Sequence, residues 1–288
     1  MRWTERRARF RALLAGERCV HPGSVFDPLS ARIAEELGFE AGIFAGSVAS
    51  LTVLGAPDLI VLTLSEFAGQ VYRIGRAGEL PLMVDADHGY GNALNVARTV
   101  EELEAAGVAG LSIEDTLLPP PFGAPEQVQL ISLEEGVGKM RAALAGRRDP
   151  GLVIAGRTSA VSVTGVDDAA RRIAAYEAAG VDAIFLIGVK TRAQLETLRA
   201  AVKLPLILGS AGPEVMDLDY LSGMGVRLCL QGHQPFMAAV QAVYDTLSAL
   251  RAGTPPKELS GVASAELMRR LARDDDYRRA MRDFLGGD

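Results

Sequence analysis

Residues Asp85-Ala86-Asp87-His88-Gly89-Tyr90-Gly91-Asn92 place two carboxylates two positions apart, directly after the apolar run Leu80-Pro81-Leu82-Met83-Val84. If that run is a buried strand, both acids stand at its carboxyl end and point to the same side, with Ala86 facing away. Like charges that close either share a proton or hold a cation, and a hard divalent ion such as Mg²⁺ accepts carboxylate oxygens readily. Gly89 and Gly91 let the backbone turn sharply and come near a ligand. The plainer reading is an Asp-rich turn that caps the next helix, and the rest of the chain weighs against it.

Acids at a strand end need a scaffold, and the sequence repeats one. Gly38, Gly107, Gly180 and Gly225 each close a helix-like stretch and precede an apolar run about one strand long. A second kind of strand signal alternates with them, at Glu79 to Val84, Pro150 to Ala155 and Lys203 to Leu208. Helical spacing fills the gaps at Asn92 to Ala106, Val166 to Ala179 and Arg192 to Ala201, and Thr63…Glu66 and Ser132…Glu135 read as capping boxes. With a first strand near Arg18 to His21, the pattern predicts an α/β fold of eight strand-helix units, a (β/α)₈ TIM barrel. A doubly wound open sheet is the alternative. The whole chain, 1–288, reads as a single barrel domain, with 254–288 a C-terminal helical extension after the hinge Ala252-Gly253-Thr254-Pro255-Pro256. Its helical stretches, Ser264 to Arg273 and Tyr277 to Leu285, exceed what a barrel needs and read as packing or subunit contacts. Asp115 to Ile131 is a long connection of the sort that often serves as a lid or binding loop.

In barrels of this type the site forms at the carboxyl ends of the strands. Those positions hold Ser47, Asp85 and Asp87, Glu114 and Asp115, Arg157 and His233. Singly, each has a structural explanation: Ser47 or His233 as a helix cap, Glu114 and Arg157 as an ion pair. Jointly, acids beside one arginine and one histidine point to a mouth where chemistry is done. The only histidines are His21, His88 and His233, without zinc-type spacing, and the chain has no phosphate-binding glycine loop, dinucleotide fingerprint or serine elbow. An oxygen-ligand metal site is what remains.

A net charge of -6 argues against a nucleic-acid partner or an anionic-membrane surface. It leaves room for a small anionic ligand, because local arginines or a metal can reverse the field inside one pocket. Cys19 and Cys229 have no CxxC partner and read as buried free thiols of a reducing cytoplasm. No apolar run approaches the ~18 residues of a membrane span. The Arg-rich start, Arg2-Trp3-Thr4-Glu5-Arg6-Arg7, has no apolar stretch of a secretory signal behind it. Composition leaves open a mitochondrial presequence or an amphipathic first helix through Leu14, and a cytoplasmic location is the expectation.

Three motifs together resemble the isocitrate lyase and phosphoenolpyruvate mutase superfamily: Gly46-Ser47-Val48-Ala49-Ser50 with Leu54-Gly55-Ala56-Pro57-Asp58, Asp85 to Asn92, and Ser112-Ile113-Glu114-Asp115. Within it, Ala49-Ser50-Leu51, Asp115-Thr116-Leu117-Leu118-Pro119, Glu134 to Lys139 and Gly232-His233 look most like the bacterial oxaloacetate decarboxylase branch. The resemblance implies a (β/α)₈ barrel whose last helix swaps between subunits of a homotetramer. It also implies Mg²⁺ or Mn²⁺ with Asp85 as principal ligand and Asp58, Asp87 and Glu114 holding metal-bound waters. The lyases of the superfamily carry a Lys-Lys-Cys-Gly-His loop after strand four. Here Leu117 to Gly123 offers no thiol, acid or base. The expected activity is therefore decarboxylation of oxaloacetate to pyruvate and CO₂ through an enolate stabilised by the metal. Asp85, Arg157 and His233 are the expected catalytic residues, with Ser47, Arg157 and His233 on the substrate. The alternatives are carbon-carbon or carbon-phosphorus cleavage of another 2-oxo acid, or a non-catalytic oxoacid-binding barrel.

Overall fold

The computed structural model describes residues 2–123, 125 and 127–286. Its strands are β1 (Gly23–Ser24), β2 (Gly42–Phe44), β3 (Leu82–Asp85), β4 (Gly110–Glu114), β5 (Val153–Thr158), β6 (Ala183–Ile187), β7 (Leu206–Gly209) and β8 (Val226–Cys229). They form one parallel 8-stranded sheet in sequence order. Helices α1 (Arg2–Ala15), α2 (Pro28–Glu36), α3 (Gly46–Ala49), α4 (Leu64–Gly75), α5 (Ala93–Ala105), α6 (Leu133–Gly146), α7 (Ala160–Val163), α8 (Val166–Ala179), α9 (Arg192–Ala201) and α10 (Leu218–Gly223) accompany them, and α3 runs on into a π-helical turn, Ser50–Leu54. The sheet meets itself. Val20 N–H donates to Arg227 O at 3.0 Å and Cys229 N–H donates to Val20 O at 3.0 Å, a parallel bridge from the eighth strand to the start of the chain. This is the barrel that the alternating strand signals predict, and the open sheet is set aside.

The expected first strand, Arg18 to His21, is displaced to Gly23–Ser24. The segment serves two neighbours in turn, since Val20 bonds to β8 while Gly23 and Val25 donate to Ala41 O and Ile43 O beside β2, at 2.9 and 3.0 Å. The periodic helices stand where expected: α8 and α9 keep the predicted bounds, and α5 opens at Asn92, whose side chain accepts from the N–H of Leu94 and Asn95. Thr63 and Glu66 form a reciprocal capping box on α4, and Ser132 accepts from Glu135 N–H on α6. Such caps satisfy amides that a helix leaves unpaired.

The barrel interior is filled by Met83, Val153, Ala155, Phe185, Ile207 and Leu228, inward residues of successive strands. Phe10 and Leu14 of α1 join this core from the amino-terminal end. Gly110 makes room for the plug, because a Cβ there would lie 2.6 Å from Phe10 Cε1. Arg6 and Arg7 are buried in the same helix. Arg6 donates to Gly75 O and Gly78 O, and Arg7 donates to Glu104 O at 2.6 Å, to Val108 O at 3.0 Å and to Asp149 Oδ2 at 2.6 Å. The arginines of this stretch thus satisfy carbonyls where α4 and α5 end. Cys19 and Cys229 are buried and free. Burial, with Cys229 nearby, pushes the Cys19 thiol up to about 12, and burial pushes Cys229 up to about 11. No helix of the described residues is long and apolar enough to cross a membrane.

The chain divides into two compact units, the first ending at Gly232 and the second beginning at His233. The second contains α11 (Gln234–Arg251), α12 (Ala265–Ala272) and α13 (Asp274–Leu285). None of the residues of α11 is buried, and Met237, Val240, Tyr244 and Leu247 make an exposed apolar stripe along it at i, i+3, i+7 and i+10.

Candidate active site

β3, β4 and β5 set the site by their register. Asp85 lies opposite Ser112 and Glu114 lies opposite Arg157, so one strand step separates the two acids at the carboxyl end of the sheet. Arg157 reaches both. Its two terminal nitrogens divide the work, one on Asp85 Oδ2 and the other 3.1 Å from Glu114 Oε2. Ser112 Oγ donates to Asp85 Oδ1 at 3.2 Å, which leaves Asp85 held from two sides. The guanidinium carbon of Arg157 sits 5.4 Å from the ring centre of Phe185, its register partner on β6, so an aromatic face supports the cation.

Asp87 joins this group by a different route from the one strand alternation predicts. β3 ends at Asp85, and Asp87 lies beyond it with φ 48°, in the left-handed region. Its N–H turns back to Asp85 Oδ1 at 3.3 Å, and its carbonyl accepts from Glu114 N–H at 2.9 Å. The carboxylate rests against Gly46, where a Cβ would lie 2.4 and 2.5 Å from its two oxygens. Only glycine fits there. Ser47, the next residue, is half-buried in the first turn of α3, at the end of β2.

Charge in this space is unbalanced. Loss of water around Asp87 raises its pKa well above the ordinary carboxylate value, and Asp85, Glu114 and Asp58 add to the rise against Arg157. Glu114 is raised by burial, with Arg157 opposing. Asp58, exposed at the rim, is raised by partial desolvation and then by Asp85. Burial works against the charge of Arg157, but Asp85 and Glu114 hold it protonated. Four acids against one arginine favour a further cation. Among the described residues no group of three or more His, Cys, Asp or Glu side chains is arranged to hold a metal ion by itself. The donors present are oxygens only, and Mg²⁺ is usually held through one or two carboxylates with water in its other positions. The residues fit such an ion.

One expected member stands apart. Asp115 is turned away from the group, its Oδ2 accepting from Tyr176 Oη at 2.7 Å and from Arg172 at 3.1 Å. His233 opens the second unit, as the residue before α11, and its side chain makes no capping bond to that helix. Strand reasoning missed Ser112, although a polar residue two before Glu114 in an apolar run must share its face. It also read the turn after Asp87 for its glycines alone. The Tyr90 hydroxyl is buried there without a hydrogen-bond partner, and its pKa is raised by burial, then by Asp87, Asp85 and Asp58.

After β4 the two ends of the long connection are paired by backbone hydrogen bonds. Leu117 N–H donates to Gln129 O at 2.8 Å and Ile131 N–H to Asp115 O at 2.9 Å, while Phe122 at the tip is fully exposed. Ala124 and Glu126 lie outside the described residues. From Leu117 to Gly123 no side chain can exchange a proton or act as a nucleophile.

The sequence pattern of the phosphoenolpyruvate phosphomutase family matches residues 10–251. This chain belongs to that family. Over 286 residues it is 59% identical to the oxaloacetate decarboxylase of Bradyrhizobium diazoefficiens, a match that covers 99% of each chain. Among solved structures, it is similar to oxaloacetate acetylhydrolase in complex with 3,3-difluorooxalacetate, at 28% identity, TM-score 0.86 and 99% and 98% coverage of the two chains. It is also similar to phosphonopyruvate hydrolase complexed with oxalate and Mg²⁺, at 30% identity, TM-score 0.85 and 97% and 99% coverage. The chain therefore belongs to the superfamily that its motifs resemble.

Proposed function

We propose that this chain decarboxylates oxaloacetate in a reaction dependent on a divalent metal, Mg²⁺ or Mn²⁺. The observation that carries the reading is the pairing of an acid-rich, arginine-bridged strand-end cluster with a β4–α6 connection that has no thiol, acid or base from Leu117 to Gly123. Cleavage of a branched hydroxyacid needs a positioned proton acceptor and donor. Decarboxylation needs neither at the step that breaks the bond. The decarboxylase relatives, matched over their full length, and the oxoacid and oxalate ligands of the solved relatives support the same substrate class.

Asp85 would hold the metal, with Asp87, Glu114 and Asp58 on its waters. When bound, the ion supplies positive charge at the 2-oxo oxygen, where negative charge develops. Arg157, whose terminal nitrogens lie on Asp85 and Glu114, would hold a substrate carboxylate through its remaining N–H groups. Ser47 and the neighbouring amides of α3 would take another carboxylate oxygen. The bond from C3 to the departing carboxylate breaks, its electron pair passes into the C2–C3 enolate, CO₂ leaves, and a proton taken up at C3 completes pyruvate. His233 would donate a hydrogen bond to the substrate from the loop after β8. A homotetramer with α11 exchanged between subunits is part of this proposal, and the exposed stripe of α11 supports it.

Chelation followed by metal return tests the metal. CO₂ release from oxaloacetate should vanish after exhaustive chelation and return with Mg²⁺ or Mn²⁺. Full activity of the metal-stripped chain would remove the site assignment.

A further inference from the structure

The turn that carries Asp87 is an unfavourable one. Asp87 (φ 48°) and Tyr90 (φ 60°) both adopt left-handed backbone, which residues with a Cβ avoid. Four consecutive carbonyls of this turn have fixed partners. Ala86 O accepts from Gly89 N–H at 2.9 Å, and Asp87 O accepts from Glu114 N–H at 2.9 Å. The next two are held from outside the barrel. His88 O accepts from Lys139 Nζ at 2.8 Å, and Gly89 O accepts from Thr99 Oγ1 at 3.0 Å.

These two donors come from adjacent outer helices. Thr99 is on α5 and Lys139 on α6, and the helices pack so closely that a Cβ at Gly146 would lie 2.5 Å from Ala97 O. Both side chains are withdrawn from solvent, Thr99 at 0% and Lys139 at 3% exposure. A lysine so buried is costly unless its charge or its donors are used. Burial lowers its pKa, while Glu135, Glu114 and Asp115 act to keep it charged. The turn is also pressed onto α5, where a Cβ at Gly89 would meet Val96 Cγ2 at 2.4 Å. Lys139 closes the Glu134 to Lys139 motif, which the proposed chemistry does not otherwise use.

We propose that Lys139 and Thr99 are positioning residues: by holding the carbonyls of His88 and Gly89 they fix the left-handed turn that aims Asp87 into the acid cluster, and so set the site's affinity for its cation. The inference rests on the metal reading above. Neither residue touches substrate. Both act through the backbone on Asp87 and, by the bond from Glu114 N–H to Asp87 O, on the strand end beside it.

Direct Mn²⁺ binding by the purified full chain, measured by calorimetry and electron paramagnetic resonance without oxoacid, tests this. The variants are Thr99→Val, which keeps shape and loses only the hydroxyl, Lys139→Gln, which keeps a donor without the charge, and Lys139→Met. Groups that orient ligands in this indirect way typically change metal affinity by about 10- to 100-fold. Thr99→Val and Lys139→Met should weaken Mn²⁺ binding within that range and Lys139→Gln by less, while KM for oxaloacetate at saturating metal stays within about 3-fold. Should Lys139→Met fail to fold, Thr99→Val and Lys139→Gln decide. Parent-like Mn²⁺ affinity in both of these would overturn the positioning role. A parent chain that binds no Mn²⁺ would instead overturn the metal reading, and this inference with it.

Discussion

Arg157 spans two carboxylates on neighbouring strands with separate nitrogens, a geometry that its planar fork allows and a lysine ammonium does not. Replacement by lysine keeps the charge but cannot serve both acids and, as proposed, a substrate carboxylate at once. Charge-assisted hydrogen bonds are worth about 1.5–3 kcal/mol, so kcat/KM for oxaloacetate should fall by about 10- to 100-fold in Arg157→Lys, mainly through KM. Steady-state kinetics at saturating metal reads the change, and parent-like KM and kcat would show that the guanidinium serves the fold alone. Gly46 is the counterpart beside Asp87. Any side chain there displaces the Asp87 carboxylate, so the glycine of the Gly46-Ser47 motif has a steric reason that its polar neighbour does not share.

At the scale of elements, α1 does more than begin the chain. Its Arg7 reaches the connection between α6 and β5, pairing with Asp149 at 2.6 Å, and hydrogen bonding to Arg7 is the main cause of the lowered pKa of Asp149. A carboxylate whose folded pKa is depressed stabilises the fold fully above its unfolded value of about 3.9, and the contribution is lost as pH falls through the folded value. Asp149→Asn should therefore be less stable than the parent at neutral pH, by about 1–3 kcal/mol. The gap should close below about pH 4 as the parent's carboxylate takes up a proton. Urea unfolding at several pH values checks this, and a gap that persists unchanged at low pH would assign the loss to packing. The bounds of α8 and α9 were legible because an unbroken apolar period runs between clear ends. The acids were legible because the repeating strands located each carboxyl end. The turn at Asp87 was not, since strand alternation carries no information about a positive φ. Nor were Arg6, Arg7, Thr99 and Lys139, because polar residues on helices read as solvated until their carbonyl partners, far away in sequence, are known.

For the whole molecule, the exposed stripe Met237, Val240, Tyr244 and Leu247 fits burial against another copy of the chain, as the proposed exchange of α11 requires. Sedimentation should give a mass near four times the 30.5 kDa chain, and Leu247→Glu should shift it to smaller species. A monomeric parent would end the exchange proposal without touching the chemistry. The chemistry is tested most directly by offering the purified chain with Mg²⁺ a panel of oxaloacetate, 2-methylisocitrate, isocitrate and phosphonopyruvate, and following CO₂, pyruvate and phosphate together. Oxaloacetate alone should be turned over efficiently, yielding CO₂ and pyruvate in equal amounts with no cleavage of the branched acids. Faster cleavage of 2-methylisocitrate or phosphonopyruvate, or no metal-dependent CO₂ from oxaloacetate, would contradict the proposed decarboxylation and leave the family assignment standing alone.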